Sequence, residues 1–237
     1  MNGKEFFSGI FRGILDAAFP AHCLGCGAAL PNGDVACAAC IARIERFKTL
    51  FCAECGARLP EQKKICHSEM PYTLGAAADY HNPLVRELVH ALKFKFVKRA
   101  ARPLADLLSD YAELAALRLE GYAVIPVPLS RARERQRGFN QAELIAKLFA
   151  ARLRLELAPD ILFRQRHARP QSELNDFSKR QENVMNAFSV PHPELARSKN
   201  FILIDDVTTS GATFFEAASA LKRAGVKKII CFAAAKS

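Results

Sequence analysis

The residues best suited to chemistry in this sequence are two consecutive acids, Asp205 and Asp206. The apolar run Phe201–Ile204 precedes them and is typical of a parallel strand covered on both faces. A helix is predicted over Thr213–Arg223. Ligands of open α/β sheets bind at the carboxyl ends of strands, and a loop that leads into a helix offers free backbone N–H groups to an anion. The segment therefore predicts an anion site beside an acid pair.

The loop between this strand and helix is rich in hydroxyl groups and contains one glycine, which allows the backbone to approach a phosphate closely. It has no lysine, so it is not a nucleotide-binding loop of the G-x4-G-K-[ST] kind. An ordinary helix cap explains the hydroxyls alone, and a solvated turn explains the acids alone. The combination is far more specific, and it makes substrate-binding candidates of Thr208, Thr209, Ser210, Gly211, Ala212 and Thr213.

A second polar segment follows a predicted strand at 124–127. It holds four arginines within seven residues, and arginine suits bidentate contact with phosphate. Its candidate phosphate contacts are Pro128, Leu129, Ser130, Arg131 and Arg137. A later cluster that includes Arg164, His167 and Arg169 is charged and poor in apolar anchors. It can serve as a lid over a reactive sugar, with Arg169 as a contact, as a patch for single-stranded nucleic acid, or as a solvated surface.

Seven of the eight cysteines lie between Cys23 and Cys66, in an internal duplication. The segment 23–31 matches 52–60 at an offset of 29 residues, and each half opens with C-x2-C followed by glycine. This spacing predicts a zinc ribbon, in which four ligands surround Zn(II) as a tetrahedron. The first half supplies a complete structural set, Cys23, Cys26, Cys37 and Cys40.

The second half supplies Cys52, Cys55 and Cys66, but Glu69 stands where a fourth cysteine is expected. Either Glu69 or the neighbouring His67 can complete the site, or the second zinc is lost. Pairing of the first C-x2-C with the second, across the halves, is a further arrangement that the spacing leaves open.

The rest of the chain alternates helical and strand patterns, which predicts an α/β domain with a mostly parallel sheet flanked by helices. Helices are predicted over 83–98, 102–118 and 141–152, and further strands over 187–190 and 228–233. The composition changes near Met70. We therefore expect an amphipathic helix at 1–20, a double zinc-ribbon module at 21–70 and the α/β domain at 71–237.

The chain carries a formal charge of +10 and a pI of about 9.4, which favours anionic partners such as phosphates or nucleic acid. No apolar run reaches the roughly 20 residues that span a bilayer, so no transmembrane segment is predicted. The sequence also lacks an export signal, and we expect a cytoplasmic protein whose thiols stay reduced.

The segment 201–213 resembles the phosphoribosyl-pyrophosphate signature of type I phosphoribosyltransferases. The resemblance implies that residues 208–213 wrap the 5-phosphate and that Asp205 and Asp206 face the ribose hydroxyls in a catalytic role. It also implies that Mg(II) and a second loop hold the pyrophosphate, which leaves from the anomeric carbon. The ligand implied is phosphoribosyl pyrophosphate or another ribose 5-phosphate compound.

The whole chain resembles the ComF family of competence-associated proteins, some of which are described as amidophosphoribosyltransferases. The cysteine pairs, Arg137-Gly-Phe-Asn-Gln141, the stretch 164–188 and the acid-pair loop carry the resemblance; Glu69 departs from it. The resemblance implies a role around DNA uptake and its machinery. One hypothesis is a Mg-dependent phosphoribosyltransferase of unknown acceptor. The other is a single-stranded DNA-binding protein whose phosphoribosyl site is non-catalytic or regulatory.

Overall fold

A computed structural model describes residues 21–30, 33–59, 67, 69–165 and 187–237. The predicted helix at 1–20, together with Cys66, His167 and Arg169, lies outside the described residues. Within the described residues, no helix combines the length and the apolar character needed to cross a membrane.

A seven-stranded sheet organises the molecule, in the order β4-β3-β5-β11-β10-β6-β7. The five strands from β5 to β7 in this order run parallel to one another, as predicted. Strand β3 pairs with β5 in antiparallel fashion. The strand bounds are β3 Leu50–Phe51, β4 Arg58–Leu59, β5 Thr73–Asp79, β6 Tyr122–Pro126, β7 Glu156–Leu157, β10 Asn200–Thr208 and β11 Lys228–Lys236. Two small hairpins complete the strands, β1 Ala21–His22 with β2 Ala29–Leu30, and β8 Phe163–Arg164 with β9 Phe188–Ser189.

Helices cover both faces of the sheet, and alternate residues of β10 explain why. Ile202 and Ile204 pack into one core, whereas Phe201 and Leu203 pack into the other, because successive strand residues point to opposite faces. The first core lies under α2 Pro83–Phe94, α3 Ala101–Leu114 and α5 Gln141–Leu153, and the second lies under α7 Ala212–Arg223. Shorter helices are α1 Ala38–Ala42, α4 Arg131–Arg137 and α6 Pro193–Ala196, with a 3-10 turn at Lys98–Ala100.

Strand β5 had no clear signal in the sequence because its centre is made of small residues rather than β-branched ones. Gly75 lies opposite Phe232 in the register, and a Cβ at Gly75 would come within 2.6 Å of the Phe232 ring. The small residues therefore make room for the large aromatic side chain of β11.

Three predicted element ends differ from the structure by four residues. The first helix ends at Phe94 rather than at 98, because the chain turns through a left-handed Phe96 with a φ of 55°. Helix α3 ends at Leu114, four residues early. Strand β10 runs on to Thr208, so that Asp205 and Asp206 lie within the strand rather than after it.

Candidate phosphoribosyl site and metal clusters

The acid pair lies where the sheet opens. Strand β10 pairs with β11 as far as Thr208, but with β6 only as far as Ile204. The Val127 N–H makes a last bond of 2.9 Å to the Ile204 carbonyl, and the chain then leaves the sheet. Both carboxylates therefore lie beside a gap between two parallel strands, which is where α/β sheets bind ligands.

The two acids have different neighbours, since consecutive strand residues project to opposite faces. Asp206 belongs to the face covered by α2, and its carboxylate receives the Lys93 ammonium at 2.9 Å. The side chain of Asp206 is only 7% exposed and that of Lys93 is 22% exposed. Helix α2 thus brings the Lys93 side chain to the acid pair, a contact that the sequence pattern does not reveal.

Asp205 is partly buried on the other face of the sheet. Burial, and then the negative charge of Asp206, raise the pKa of Asp205 to about 8, although the Asp206 N–H donates to its carboxylate at 2.8 Å. The negative charge of an ionised Asp205 acts to raise the pKa of Arg164. Burial, and then the same charge, raise the pKa of the Cys231 thiol. The raised pKa favours the protonated form of Asp205 in the ligand-free site.

The loop after β10 is anchored at Gly211, next to the start of α7. Gly211 has a φ of 74°, a left-handed conformation that glycine adopts without strain. The buried Tyr72 hydroxyl donates to the Gly211 carbonyl at 3.3 Å, while Thr209 and Ser210 are exposed. The start of the twelve-residue helix α7 offers its first backbone N–H groups to an anion, and that of Ala212 also donates to the Ser210 hydroxyl at 3.4 Å.

An arginine-lined cavity lies on the Asp205 side of the sheet. Its volume is about 450 Å³, and its charged lining comes from Arg131, Arg135 and Arg164, with Ser130 at its edge. Burial, and the nearby Arg133, lower the pKa of Arg164. The predicted loop contacts Ser130 and Arg131 therefore do line a cavity, together with Arg135 and Arg164, which the sequence had not selected.

The remaining arginine candidates lie elsewhere. Arg137 does not line the cavity; it bonds the Gln141 amide oxygen at 2.8 Å and lies over the Phe94 ring. Residues 131–137 form helix α4, capped by the Ser130 hydroxyl. Pro128 and Leu129 form the partly buried turn that leads into this helix.

The first ribbon half brings four sulfurs together. Ligand atoms of Cys23, Cys26, Cys37 and Cys40 all lie within 4.8 Å of one another. Burial opposes ionisation of Cys23, but backbone N–H groups led by that of Cys37, at 3.3 Å, lower its pKa to about 6. A tight set of four thiol sulfurs, one already favoured as thiolate, fits Zn(II).

The second half repeats the same hairpin but uses a different ligand type. Cys52, Cys55 and His67 form a group within 4.8 Å, and the Cys52 sulfur lies 3.4 Å from His67 Nδ1. Glu69 is not a member of this group among the described residues, so the geometry favours His67 over Glu69. In the part of the ribbon that the structure describes, the clusters form within each half and not across the halves.

Comparison with known proteins finds a family match for the N-terminal ribbon and relatives that cover most of the chain. The family described as Double zinc ribbon domain matches residues 14–69. Competence protein F of Haemophilus influenzae is 32% identical over 223 residues, which cover 88% of this chain and 92% of that protein. DNA utilization protein YhgH of Escherichia coli K12 is 29% identical over 225 residues, covering 89% of this chain and 94% of that protein.

Two further similarities are partial. Competence protein ComFC of Bacillus subtilis is 34% identical over 109 residues, which cover 44% of this chain and 40% of that protein. Among solved structures, glutamine phosphoribosylpyrophosphate amidotransferase from Bacillus subtilis, complexed with ADP and GMP, matches with a TM-score of 0.40 and 15% identity. That match covers 57% of this chain and 26% of the other, and a score this low decides nothing about a shared fold.

The fold and the clusters define a class: an α/β protein with a mostly parallel sheet and an N-terminal double zinc ribbon. The identity and coverage shared with Competence protein F narrow the class further. The chain belongs to the ComF family.

Proposed function

We propose that this protein binds phosphoribosyl pyrophosphate with Mg(II) at the gap beside Asp205 and Asp206. One observation carries the proposal: the acid pair lies near the end of a buried parallel strand, and the strand leads through a short loop into the start of a helix. That arrangement offers carboxylates to ribose hydroxyls and N–H donors to a phosphate within one short segment.

The arginine-lined cavity supports binding of the pyrophosphate on the Asp205 side of the sheet. The cavity lined by Arg131, Arg135 and Arg164 lies on the Asp205 side, so a ligand with anions at both ends of a ribose finds cations and N–H groups at its two ends. Mg(II) enters as part of the substrate complex, where it neutralises pyrophosphate charge. In this proposal Arg169 remains a candidate contact for the bound sugar.

Turnover is the finer part of the proposal. In phosphoribosyl transfer the bond from the anomeric carbon to the pyrophosphate oxygen breaks, and a nucleophile forms the new bond. The arginines would stabilise the departing pyrophosphate, and the acids would stabilise the positive charge that develops on the sugar.

The names of its relatives support a biological setting. Competence protein F and DNA utilization protein YhgH are named for competence and DNA utilization, and we propose that this chain also acts in the handling of DNA taken up by the cell. A cytoplasmic location and contact with DNA-uptake machinery belong to the same proposal.

A second candidate function is the binding of single-stranded DNA, with the phosphoribosyl site non-catalytic or regulatory. The formal charge of +10 and the exposed arginines of α4 favour it. Binding of this kind weakens steeply as salt is raised, because lysines and arginines release counterions from the phosphates. Both functions can reside in one molecule.

Isothermal calorimetry with three ligands separates the two ends of the proposed site. We expect phosphoribosyl pyrophosphate with Mg(II) to bind most tightly, ribose 5-phosphate to bind weakly through the loop, and pyrophosphate with Mg(II) to bind weakly through the arginines. No heat with phosphoribosyl pyrophosphate, with or without Mg(II), would refute the proposal. A screen of nucleobases and amines for pyrophosphate release then tests turnover separately.

A further inference from the structure

The segment Lys93–Arg99 places aromatic and basic residues in alternation at the end of α2. Phe94 is 59% exposed and Phe96 is 47% exposed, and both are among the large apolar side chains most open to solvent in the described residues. Lys95 and Lys98 flank them and are exposed as well. Burial in a core explains neither phenylalanine, since each ring presents about half of its surface to water.

A second segment lies against the first and continues the pattern. The Arg137 guanidinium lies 5.7 Å from the centre of the Phe94 ring, and the Lys98 ammonium lies 5.2 Å from the centre of the Phe139 ring. These two contacts join residues 94–98 to residues 137–139 side by side. We call the surface formed by Phe94, Phe96, Phe139, Lys95 and Lys98 the aromatic strip.

We propose that the aromatic strip is a binding surface for single-stranded nucleic acid, on which Phe94 and Phe96 stack with bases while Lys95 and Lys98 contact phosphates. The inference rests on the second candidate function and assigns it a location. Sequence-tolerant binders of single strands combine such stacking rings with basic residues along the backbone. A duplex keeps its bases stacked inside, so rings that project from the surface favour a single strand.

Charge argues against the other possible occupants. The cores of protein–protein interfaces are depleted of lysine, whereas here a cation flanks each ring. A second copy of this chain would bring another formal charge of +10 to the same surface. The exposed Glu87 partly offsets Lys95, at a distance of 3.8 Å, but Lys98 lies over an aromatic ring instead of an acid.

The backbone at Phe96 adopts a conformation that is uncommon for a phenylalanine. Its φ of 55° is left-handed, a conformation that glycine usually supplies at a helix end. The Val97 N–H closes the turn with a 3.0 Å bond to the Ala91 carbonyl. A phenylalanine at this point projects its ring outward immediately after α2.

Tryptophan substitution gives a direct test, because the chain contains no tryptophan. Phe94→Trp creates a single reporter in the aromatic strip, and Leu114→Trp creates one at an exposed site at the end of α3, where Leu114 is 48% exposed. We expect oligothymidylate to quench the emission of the first variant strongly and to leave the second unchanged. Equal quenching, or none in the first variant, would overturn the proposal.

Affinity is measured by the anisotropy of fluorescein-labelled oligothymidylate. Phe94→Ala with Phe96→Ala should weaken binding at least about tenfold, since each lost stacking partner costs about fivefold or more. The control Leu114→Ala should bind like the wild type. A change of less than about twofold in the double variant, or no binding by the wild type, contradicts the proposal.

Calorimetry with phosphoribosyl pyrophosphate on the same variants keeps the two functions apart. Unchanged affinity for that ligand shows that the double variant is folded, and failure of the DNA result then concerns the aromatic strip alone. Sedimentation of the wild type and the double variant tests whether the aromatic strip is instead a dimer interface. A wild-type dimer that the double variant abolishes, with DNA binding intact, would assign the surface to self-association and overturn the inference.

Discussion

The metal clusters and the acid-pair site are assembled in opposite ways. Each cluster draws its ligands from one short stretch, 23–40 or 52–67, whose hairpins repeat at an offset of 29. The acid-pair site joins Lys93, the segment 130–135, Arg164 and β10, which only the folded sheet brings together. The ligands of each cluster are therefore set by a local repeat, whereas the acid-pair site requires the folded sheet.

The second ribbon half connects the two regions. Strand β3 places Phe51 opposite Leu74 of β5, so this hairpin extends the main sheet, whereas the first hairpin pairs only with itself among the described strands. Tyr72 follows directly and bonds the loop at Gly211. The first half should thus be separable from the site, and the second should not.

Loss of a first-half ligand has the largest expected effect on stability. Cys23→Ser should lower the zinc content by one ion per chain, and structural zinc contributes about 10 kcal/mol or more in small zinc-finger peptides. Phosphoribosyl pyrophosphate affinity should change less than about twofold. Elemental analysis and calorimetry measure the two, with Cys231→Ala as the control that leaves zinc unchanged. An equal loss of ligand binding would contradict the separation of the two regions.

Lys93→Met tests the site from within. It leaves the nearly buried Asp206 carboxylate without its cation, and we expect a loss of about 2 kcal/mol in the free energy of unfolding, less than for a fully buried pair. The control Lys95→Met removes an exposed cation 3.8 Å from Glu87 and should cost less than about 0.5 kcal/mol. Equal denaturation midpoints for the two variants would show that the Lys93 pair is unimportant.

The pH dependence of stability tests Asp205. Its folded pKa of about 8 lies above the unfolded value of about 3.9, so the folded state binds an extra proton between these two values and stability falls as pH rises from about 4 to about 8. Asp205→Asn should therefore be more stable than the wild type at pH 8.5 and nearly equal to it at pH 4.

The matched control for this pH effect is Asp79→Asn. Bonds from His81 lower the pKa of Asp79, so its removal brings no gain at high pH. Thermal unfolding across the pH range measures both variants. A wild-type curve parallel to that of Asp205→Asn would exclude the raised pKa.

Tyr72→Phe has the smallest expected effect. It removes the 3.3 Å bond to Gly211, and a lost hydrogen bond of this kind is worth about 1 kcal/mol, so ligand affinity should fall about fivefold. Tyr111→Phe is the matched control: its hydroxyl bonds the Thr49 carbonyl at 2.8 Å on the other face, so it should cost stability but not affinity. The same affinity loss in both variants would mean that Tyr72 does not position the loop.

Sequence patterns predicted what is encoded locally. The duplicated C-x2-C spacing located the first cluster, and the apolar run before Asp205 located β10. Patterns missed what arises from packing: the Lys93–Asp206 pair was not predicted, because helical spacing cannot reveal a partner on a distant strand. Strand β5 was missed because Gly75 and its neighbouring alanines are selected by the Phe232 ring rather than by strand propensity.

The central claim is that the acid pair binds the phosphoribosyl group, and calorimetry on one variant tests it most directly. Asp205→Asn with Asp206→Asn keeps the size of both side chains and removes both negative charges. We expect no measurable heat with phosphoribosyl pyrophosphate and Mg(II), while circular dichroism and zinc content stay those of the wild type. Wild-type affinity in this folded double variant would contradict the account.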